Sequence, residues 1–382
     1  MKDAIESYFS TKGTRLKPRT VANYRPSADR FLEWATIAGV RLADDLRPHH
    51  LGAFVEWLCA QHAKAPRKGG KRGEQAATGR SWTPGGINNR LRAIKAVLNK
   101  LRKMGRLPHI TGDAISDTIE LVKTEKPRPA FLRQSEIKGL LRAALRHDEA
   151  TFEMTRAEKG VGQKGQTPKY PPVAPFVAFM LLTGCRAEEA LSLLWSDIDL
   201  DAKDATGKVA GAIHVPAHIV KTGQARTIDL SVCPALRRIL CAIKLKAAGE
   251  PFVFGGATPW TRETIDDGRE RLIETFGAPP FTWSQRSDGP TGEKPPVRAT
   301  CGTYLTNAPG IYGAASAFLA AKRLGHSVTI AERHYAGVIH GLPKTAKTLE
   351  AAMEVTKELA EIEARICGKE RKEEAAKTAT AG

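Results

Sequence analysis

The sequence predicts a mainly α-helical fold with one small β-sheet or hairpin element. Most apolar residues recur at the three- and four-residue spacing of amphipathic helices. The clearest strand signal lies around residues 213–230, where I-H-V and V-K-T-G-Q-A-R-T-I-D-L combine short β-like runs with turn residues. A third observation concerns charge: 59 Lys and Arg face 41 Asp and Glu, a formal charge of +18. Such an excess indicates a polyanionic partner, with nucleic acid ahead of an anionic membrane surface.

Other features narrow the class of protein. A length of 382 residues suits two or three domains. No long apolar run, signal peptide or lipidation motif is visible, so we expect no membrane partner and a cytoplasmic location. The six cysteines are scattered, which argues against a zinc site or disulfide framework. Without a phosphate-binding glycine loop, we also expect no cofactor.

The first predicted domain, residues 1–108, is helical. Val21, Tyr24, Phe31 and Trp34 mark one helix and L-G-A-F-V-E-W-L-C-A-Q-H another, while the Gly-rich, basic stretch 64–75 is predicted as a loop. A third helix, from about Ile87 to Met104, has an apolar stripe opposite a cationic face. That face is either simply solvated or directed at phosphate, and the lack of acidic partners favours phosphate.

A linker is predicted at 109–129, followed by a second domain at 130–343. The linker ends in K-T-E-K-P-R-P, which suits an extended connection. In the second domain, V-A-P-F-V-A-F-M-L-L-T-G is apolar all round and predicts a buried helix that ends at Gly184. Further helices are predicted near 234–248, 262–275, 297–307 and 314–324. Residues 344–382 form a helix at 345–366 and a frayed tail.

Several polar residues of this domain have two readings each. Arg186, just after Gly184, is either a structural partner of Glu189 or an anion-binding group. Lys221 is an exposed turn residue or a hairpin lysine that reaches a substrate. Arg298 opens a helix after two prolines, where it lies on the surface or meets a phosphate.

His326 and Tyr335 are nine residues apart and would face opposite ways on one continuous helix. Leu324-Gly325 resembles a helix stop, and Thr329 to Glu332 has the spacing of a capping box. A break there lets both side chains face one pocket, although a core histidine and a packed tyrosine fit the pattern too. His334 is the better candidate for a bystander.

Taken in order, these motifs resemble the tyrosine recombinases, the phage-integrase family. T-G-C-R-A-E-E-A-L-S-L-L-W-S-D-I-D is similar to the family's first arginine box, and L-G-H with a tyrosine nine residues later is similar to its last. The N-terminal block, with I-N-N-R-L-R-A-I-K-A-V-L, resembles the SAM-like core-binding domain. The resemblance covers roughly residues 3–340. It implies that DNA is bound by a set of basic residues, namely Lys17, Arg19, Arg90, Arg92 and Lys95.

The resemblance also implies a reaction and its residues. A site-specific recombinase of this type cleaves and rejoins DNA through a 3′-phosphotyrosine, without metal or ATP. The roles would be nucleophile for Tyr335, phosphate binding for Arg186 and Arg298, general acid for Lys221, orientation for His326 and support for Glu189. One position departs from the family: its second box is usually His-x-x-Arg, and here Pro295 replaces the histidine. Lys294 or His326 is the possible substitute base, and residues 307–315 resemble a small insertion.

The resemblance implies that the partner is double-stranded DNA with inverted-repeat core sites. The two domains would hold this DNA in a C-shaped clamp, and the protein would be associated with the nucleoid. A homotetramer would form on synapsed DNA, from a monomer or weak oligomer when free, and the C-terminal helix would dock on a neighbouring subunit. Two alternatives stay open. One is a catalytically impaired DNA-binding relative, marked by Pro295, and the other is DNA relaxation like that of type IB topoisomerases.

Overall fold

The structure, a computed structural model, describes residues 1–13, 16, 18–66, 75–123, 130–152, 167–204, 206–284, 287–289, 292–335, 339 and 342–380. The chain divides into two compact units, Met1–Pro127 and Arg128–Gly382. Within the described ranges, every helix is too short or too polar to cross a bilayer.

The first unit is a helical cluster with one hairpin. Its helices are α1 (Lys2–Gly13), α2 (Pro18–Ile37), α3 (Pro48–Ala60), α4 (Pro84–Lys103) and α5 (Gly112–Thr118), with a 3-10 turn at Ala43–Asp45. The hairpin pairs β1 (His62–Pro66) with β2 (Gln75–Ser81) in antiparallel fashion. Thr83 caps α4 by accepting a hydrogen bond from the Gly86 N–H at 3.1 Å. The apolar stripe of α4 is buried as predicted, through Ile87, Leu91, Ile94, Val97, Leu98 and Leu101.

Two predictions for this region are wrong. The stretch 64–75 is not wholly a loop, because its ends belong to β1 and β2. The segment 109–129 is not wholly a linker, because α5 lies within it and Ile110, Ile115 and Ile119 are buried in the core of the first unit. The prolines and charges near residue 127 indicated a linker, although the spacing of the three buried isoleucines is compatible with a helix.

The second unit surrounds one apolar helix. Its first helices are α6 (Gln134–Glu149), α7 (Ala174–Thr183) and α8 (Ala187–Leu191), followed by a 3-10 turn at Trp195–Asp197. Every residue of α7 is buried. The strands β3 (Ile198–Asp199), β4 (Ala212–Val215) and β5 (Arg226–Asp229) form an antiparallel sheet in that order, with Ile213 opposite Ile228.

The remaining elements complete this unit. They are α9 (Pro234–Lys246), α10 (Arg262–Glu274), the hairpin of β6 (Ser287–Gly289) and β7 (Gly292–Lys294), α11 (Val297–Asn307), α12 (Pro309–Tyr312), a 3-10 turn (Gly313–Ala315), α13 (Ser316–Leu324), α14 (Val328–His334), α15 (Leu349–Ala352) and α16 (Thr356–Thr380). The prediction of a mainly α-helical chain with a small sheet is confirmed.

The C-terminal segment differs from its prediction. Instead of a helix that frays after residue 366, α16 continues to Thr380. The apolar face assigned to a neighbouring subunit is used within the chain, since Leu359 and Ile362 are buried in the core of the second unit. Glu358 pairs with Arg142 at 2.9 Å and Glu363 with Arg238 at 2.8 Å. The first part of α16 is therefore a component of this unit.

Candidate active site

Arg186 lies at a sharp turn between two helices. The turn is possible because Gly184 adopts a left-handed conformation at φ 64°, where a Cβ atom would collide with Leu324. Arg186 then precedes α8, and its Nη1 donates to Oε1 of Glu189 at 2.7 Å. The Arg186 N–H donates to Oε2 of the same carboxylate at 2.9 Å. Glu189 thus holds both the backbone and the guanidinium of Arg186.

A second arginine, Arg226, shares this carboxylate and was not singled out by the sequence. It is the first residue of β5, and its Nη2 donates to Oε2 of Glu189 at 2.6 Å. Its Nε donates to the carbonyl oxygen of Arg323 at 3.0 Å, and the side chain is only 5% exposed. Burial raises the pKa of Glu189, but the bonds to Arg226 and Arg186 outweigh burial and hold that pKa below its ordinary value. Glu189 is accordingly an ionised carboxylate with both oxygens engaged.

Arg298 begins the first turn of α11 and is almost fully buried. Its N–H donates to the carbonyl oxygen of Trp283 at 3.3 Å. Its guanidinium donates to the carbonyl oxygens of Gly184 and Leu324. Among the described residues, no carboxylate forms an ion pair with it. Burial lowers the pKa of Arg298, and the nearby charge of Arg186 lowers it further.

The cluster therefore carries an excess of positive charge. Arg186, Arg226 and Arg298 supply three cations. Glu189 pairs with the first two, and Arg298 has no carboxylate partner among the described ion pairs. The loop before α11 connects the parts, because the hydroxyl of Ser284 accepts a hydrogen bond from the Ala187 N–H at 2.9 Å. Buried cations without matching anions are costly, so this arrangement is suited to binding an anionic group.

The predicted helix break between His326 and Tyr335 is present. Helix α13 ends at Leu324, and Gly325 turns the chain at φ 68° and ψ 53°. The next helix starts with Ser327 in the N-cap position and without a side-chain cap, so the predicted capping box at Thr329 is wrong. The break places the two rings together, with centroids 5.5 Å apart. Since a carbonyl oxygen can only accept, Nδ1 of His326 is the donor in its 3.1 Å contact with the Ser327 carbonyl oxygen.

Tyr335 is held at the end of α14 and is 8% exposed. Its carbonyl oxygen accepts a hydrogen bond from Nδ2 of Asn307 at 2.5 Å. Burial raises the pKa of the Tyr335 hydroxyl, and the charge of Arg298 opposes that rise without cancelling it. The free protein thus presents a neutral phenol close to the arginine cluster.

Two predicted residues are not joined to the cluster. Lys221 is exposed between β4 and β5, and Lys294 is half-buried at the end of β7. Within the described part of the chain, the hydrogen bonds and ion pairs of the cluster include neither. The position of Pro295 is tied down by its carbonyl oxygen, which accepts a hydrogen bond from the Thr282 N–H at 3.0 Å.

A groove opens beside the cluster. It has a volume of about 1180 Å³, and its walls come from the β4–β5 hairpin and from α13. Arg226 and His326 line it, together with Thr222, the neighbour of Lys221. In the described ranges, no three His, Cys, Asp or Glu side chains are arranged to hold a metal ion.

The basic residues predicted to bind DNA have different surroundings in the first unit. Arg19 and Arg92 are exposed. The guanidinium of Arg90 lies 3.7 Å over the ring of Trp82. The Nζ of Lys95 donates to the carbonyl oxygens of Ser116 and Ile119 at 3.1 and 3.2 Å. It closes the C-terminal end of α5, where free carbonyls attract a cation. Lys17 lies outside the described residues.

No protein-family model and no curated protein sequence matches the chain. Among solved structures, a lambda integrase dimer bound to a COC′ core site is similar at 16% identity, with a TM-score of 0.55, over 90% of this chain and 79% of that chain. A lambda integrase tetramer bound to a Holliday junction is similar at 16% identity, with a TM-score of 0.53, over 89% of this chain and 78% of that chain. A lambda integrase fragment of residues 75–356 bound to DNA is similar at 16% identity, with a TM-score of 0.52, over 88% of this chain and 95% of that chain. The fold of this chain is therefore the fold found in lambda integrase, a tyrosine recombinase.

Proposed function

We propose that this protein is a site-specific DNA recombinase that cleaves and rejoins strands through a 3′-phosphotyrosine on Tyr335. The observation that carries the proposal is the cluster itself. Arg186 and Arg226 share the carboxylate of Glu189. The charges of Arg298 and Arg186 lie close to the buried hydroxyl of Tyr335. The likeness to lambda integrase bound to a core site and to a Holliday junction supports DNA as the substrate.

The charge of the cluster suits a phosphodiester. A phosphate under attack gains negative charge, and rigid guanidinium groups stabilise it through paired hydrogen bonds. Arg186 is 24% exposed, so a bound strand can reach it. Arg298 donates to two carbonyl oxygens, and these bonds fix the plane of its guanidinium group. The remaining N–H groups of the guanidinium are thereby held in a fixed direction for a bound phosphate.

The proposed chemistry balances without a metal or nucleotide. Oη of Tyr335 attacks phosphorus, a P–Oη bond forms, and the bond to the 5′-oxygen breaks. Lys221 gives that oxygen a proton, which requires its loop to approach the bound strand. In the reverse reaction a 5′-hydroxyl from another strand attacks the phosphotyrosine and releases Tyr335.

The proton of the tyrosine needs an acceptor other than Pro295. His326 is favoured over Lys294, because its ring centroid lies 5.5 Å from that of Tyr335. Because Nδ1 donates to the Ser327 carbonyl oxygen, Nε2 is the nitrogen that would take the proton when the ring is in its neutral form. Glu189 fixes the arginines and touches no reacting atom.

Binding would involve both units and several copies of the chain. We assign core-site binding to the first unit through Lys17, Arg19, Arg90 and Arg92. Lys95 is a weaker candidate, because its Nζ is bonded to backbone carbonyl oxygens. Strand exchange between two inverted-repeat sites calls for a synaptic homotetramer, in keeping with the lambda integrase tetramer on a Holliday junction.

A pool of nicked duplexes with randomised inverted-repeat arms provides the test. A nick close to the cleaved bond lets the short 5′-hydroxyl strand diffuse away, so the covalent protein–DNA complex accumulates. Wild-type protein should retain DNA after denaturation with detergent, and Tyr335→Phe should not. The retained duplexes, once sequenced, identify the site.

Pro295 favours one alternative, a DNA-binding relative without strand cleavage. If the wild type enriches duplexes under native conditions but forms no covalent complex, that alternative replaces the proposal. Covalent complexes that lead only to relaxation of a one-site plasmid, with no exchange between two sites, would indicate a topoisomerase-like activity.

A further inference from the structure

We propose that residues 307–313 form a clamp that fixes the chain at Tyr335 and at residues 344–346 and so positions the nucleophile. Asn307 is the positioning residue of this clamp, and Gly310 is its second contact. The inference rests on the proposed function and assigns a role to the segment that resembles an insertion in the sequence.

Asn307 grips the chain at Tyr335. It is the last residue of α11, and its amide Nδ2 donates to the carbonyl oxygens of Thr303 at 2.7 Å and Tyr335 at 2.5 Å. An asparagine amide has two N–H groups, and these two bonds use both. The bond to Thr303 fixes the side chain on its own helix, so the bond to Tyr335 ties α14 to α11.

Gly310 holds the chain after Tyr335. The backbone of Lys344–Ala346 passes so close to Gly310 that a Cβ atom there would lie 2.7 Å from the carbonyl oxygen of Lys344. It would also collide with the carbonyl oxygen of Ala346. Both obstacles are backbone atoms and cannot rotate away. Glycine at this position therefore allows the returning chain to pack against α12.

The clamp is anchored in the core. Ala308 is fully buried, and Ile311 and Tyr312 pack against the main core of the second unit. The same helix, α11, carries Arg298 at its other end. Helix α11 thus sets the distance between the guanidinium of Arg298 and Tyr335, which keeps the reacting groups in a fixed relative position.

The test compares Asn307→Asp and Gly310→Ala with wild type and with Gly139→Ala. Aspartate keeps the shape of asparagine but cannot donate to Tyr335. Gly139 is a matched control, because a Cβ on α6 would meet only Pro279 at 3.8 Å. With the nicked duplex recovered above, both clamp variants should form the covalent complex on the order of 10- to 100-fold more slowly at saturating DNA. Their Kd for DNA should stay within about twofold, and Gly139→Ala should match wild type.

Hydrogen exchange of the amides at 335–348 gives a readout that does not need cleavage. Exchange should rise in both clamp variants and stay unchanged in Gly139→Ala. Normal cleavage rates and normal exchange in both variants would overturn the clamp while leaving the recombinase proposal intact. If wild type forms no covalent complex, the recombinase proposal fails, and the exchange measurement alone supports or overturns the clamp.

Discussion

Arg226 donates to Glu189 across 2.6 Å, although 37 residues separate them in the sequence. The bond joins β5, the strand that follows Lys221, to α8, the helix that follows Arg186. One buried carboxylate therefore organises two arginines from distant parts of the chain. Its loss is predicted to disturb the whole cluster.

Replacing Arg226 with alanine should lower the free energy of unfolding by about 3–5 kcal/mol, because it leaves part of a buried carboxylate without its partner. Chemical denaturation measures the change. Arg262→Ala is the control: it removes an exposed arginine that pairs with Asp266 at 2.7 Å, and the expected loss is at most about 1 kcal/mol. Equal losses in the two variants would contradict the central place of Arg226.

The depressed pKa of Glu189 predicts a pH dependence with a definite sign. Because the folded-state pKa lies below the unfolded value, the stabilisation is fully present above the ordinary carboxyl pKa of about 4.3 and disappears as the pH falls through the folded-state pKa. The difference in unfolding free energy between wild type and Glu189→Gln should thus shrink between neutral pH and pH values below 4. The exposed neighbour Glu188, changed to Gln, serves as the control. A difference for Glu189→Gln that stays constant over this range would rule out the ion pairs as its source.

Lys221 can be tested by changing the leaving group. Lys221→Ala should slow cleavage of ordinary DNA by roughly 10²- to 10⁴-fold, the range for general acid catalysis. A substrate with sulfur in place of the bridging 5′-oxygen should restore the rate, because a thiol of pKa about 8.5 leaves without a donated proton. Single-turnover assays on both substrates, with exposed Lys208→Ala as control, measure the effect. Equal defects on both substrates would assign Lys221 another role.

Gly302 leaves the space that the ring of Tyr335 occupies. A Cβ atom on this residue would lie 2.8 Å from Cε2 of Tyr335, so Gly302→Ala must displace the ring. Cleavage should fall at least about tenfold with DNA binding unchanged. In an ordinary helical position the same change adds up to about 1 kcal/mol of stability, as expected for Gly139→Ala. Unimpaired cleavage by Gly302→Ala would show that the ring position is not critical.

The sequence predicts much of the site because its elements are local. Gly184 and Gly325 mark real helix ends, and Glu189 lies within three residues of the arginine it binds. The helix break before Tyr335 follows from Gly325, even though the N-cap falls at Ser327. Arg226 escaped notice because its partner is distant. A usable signal was present, since Arg226 and Ile228 alternate onto the same face of β5.

The clamp contacts could not be predicted for a similar reason. Asn307 contacts the backbone of Tyr335, and Gly310 contacts the backbone of Lys344 and Ala346. No pattern of residue types predicts a contact with a backbone acceptor. The packing of α16 against its own chain could not be predicted from the sequence either. An amphipathic face indicates that something covers it, but its own chain and a neighbouring subunit satisfy the pattern equally.

The most direct test of the account is the chemical identity of the covalent protein–DNA complex. The complex would be trapped on the nicked duplex, digested with protease and nuclease, and analysed by tandem mass spectrometry. The expected product is a nucleotide joined through its 3′-phosphate to the peptide that contains Tyr335. A nucleotide on any other residue, or one joined through a 5′-phosphate, would contradict the proposed mechanism.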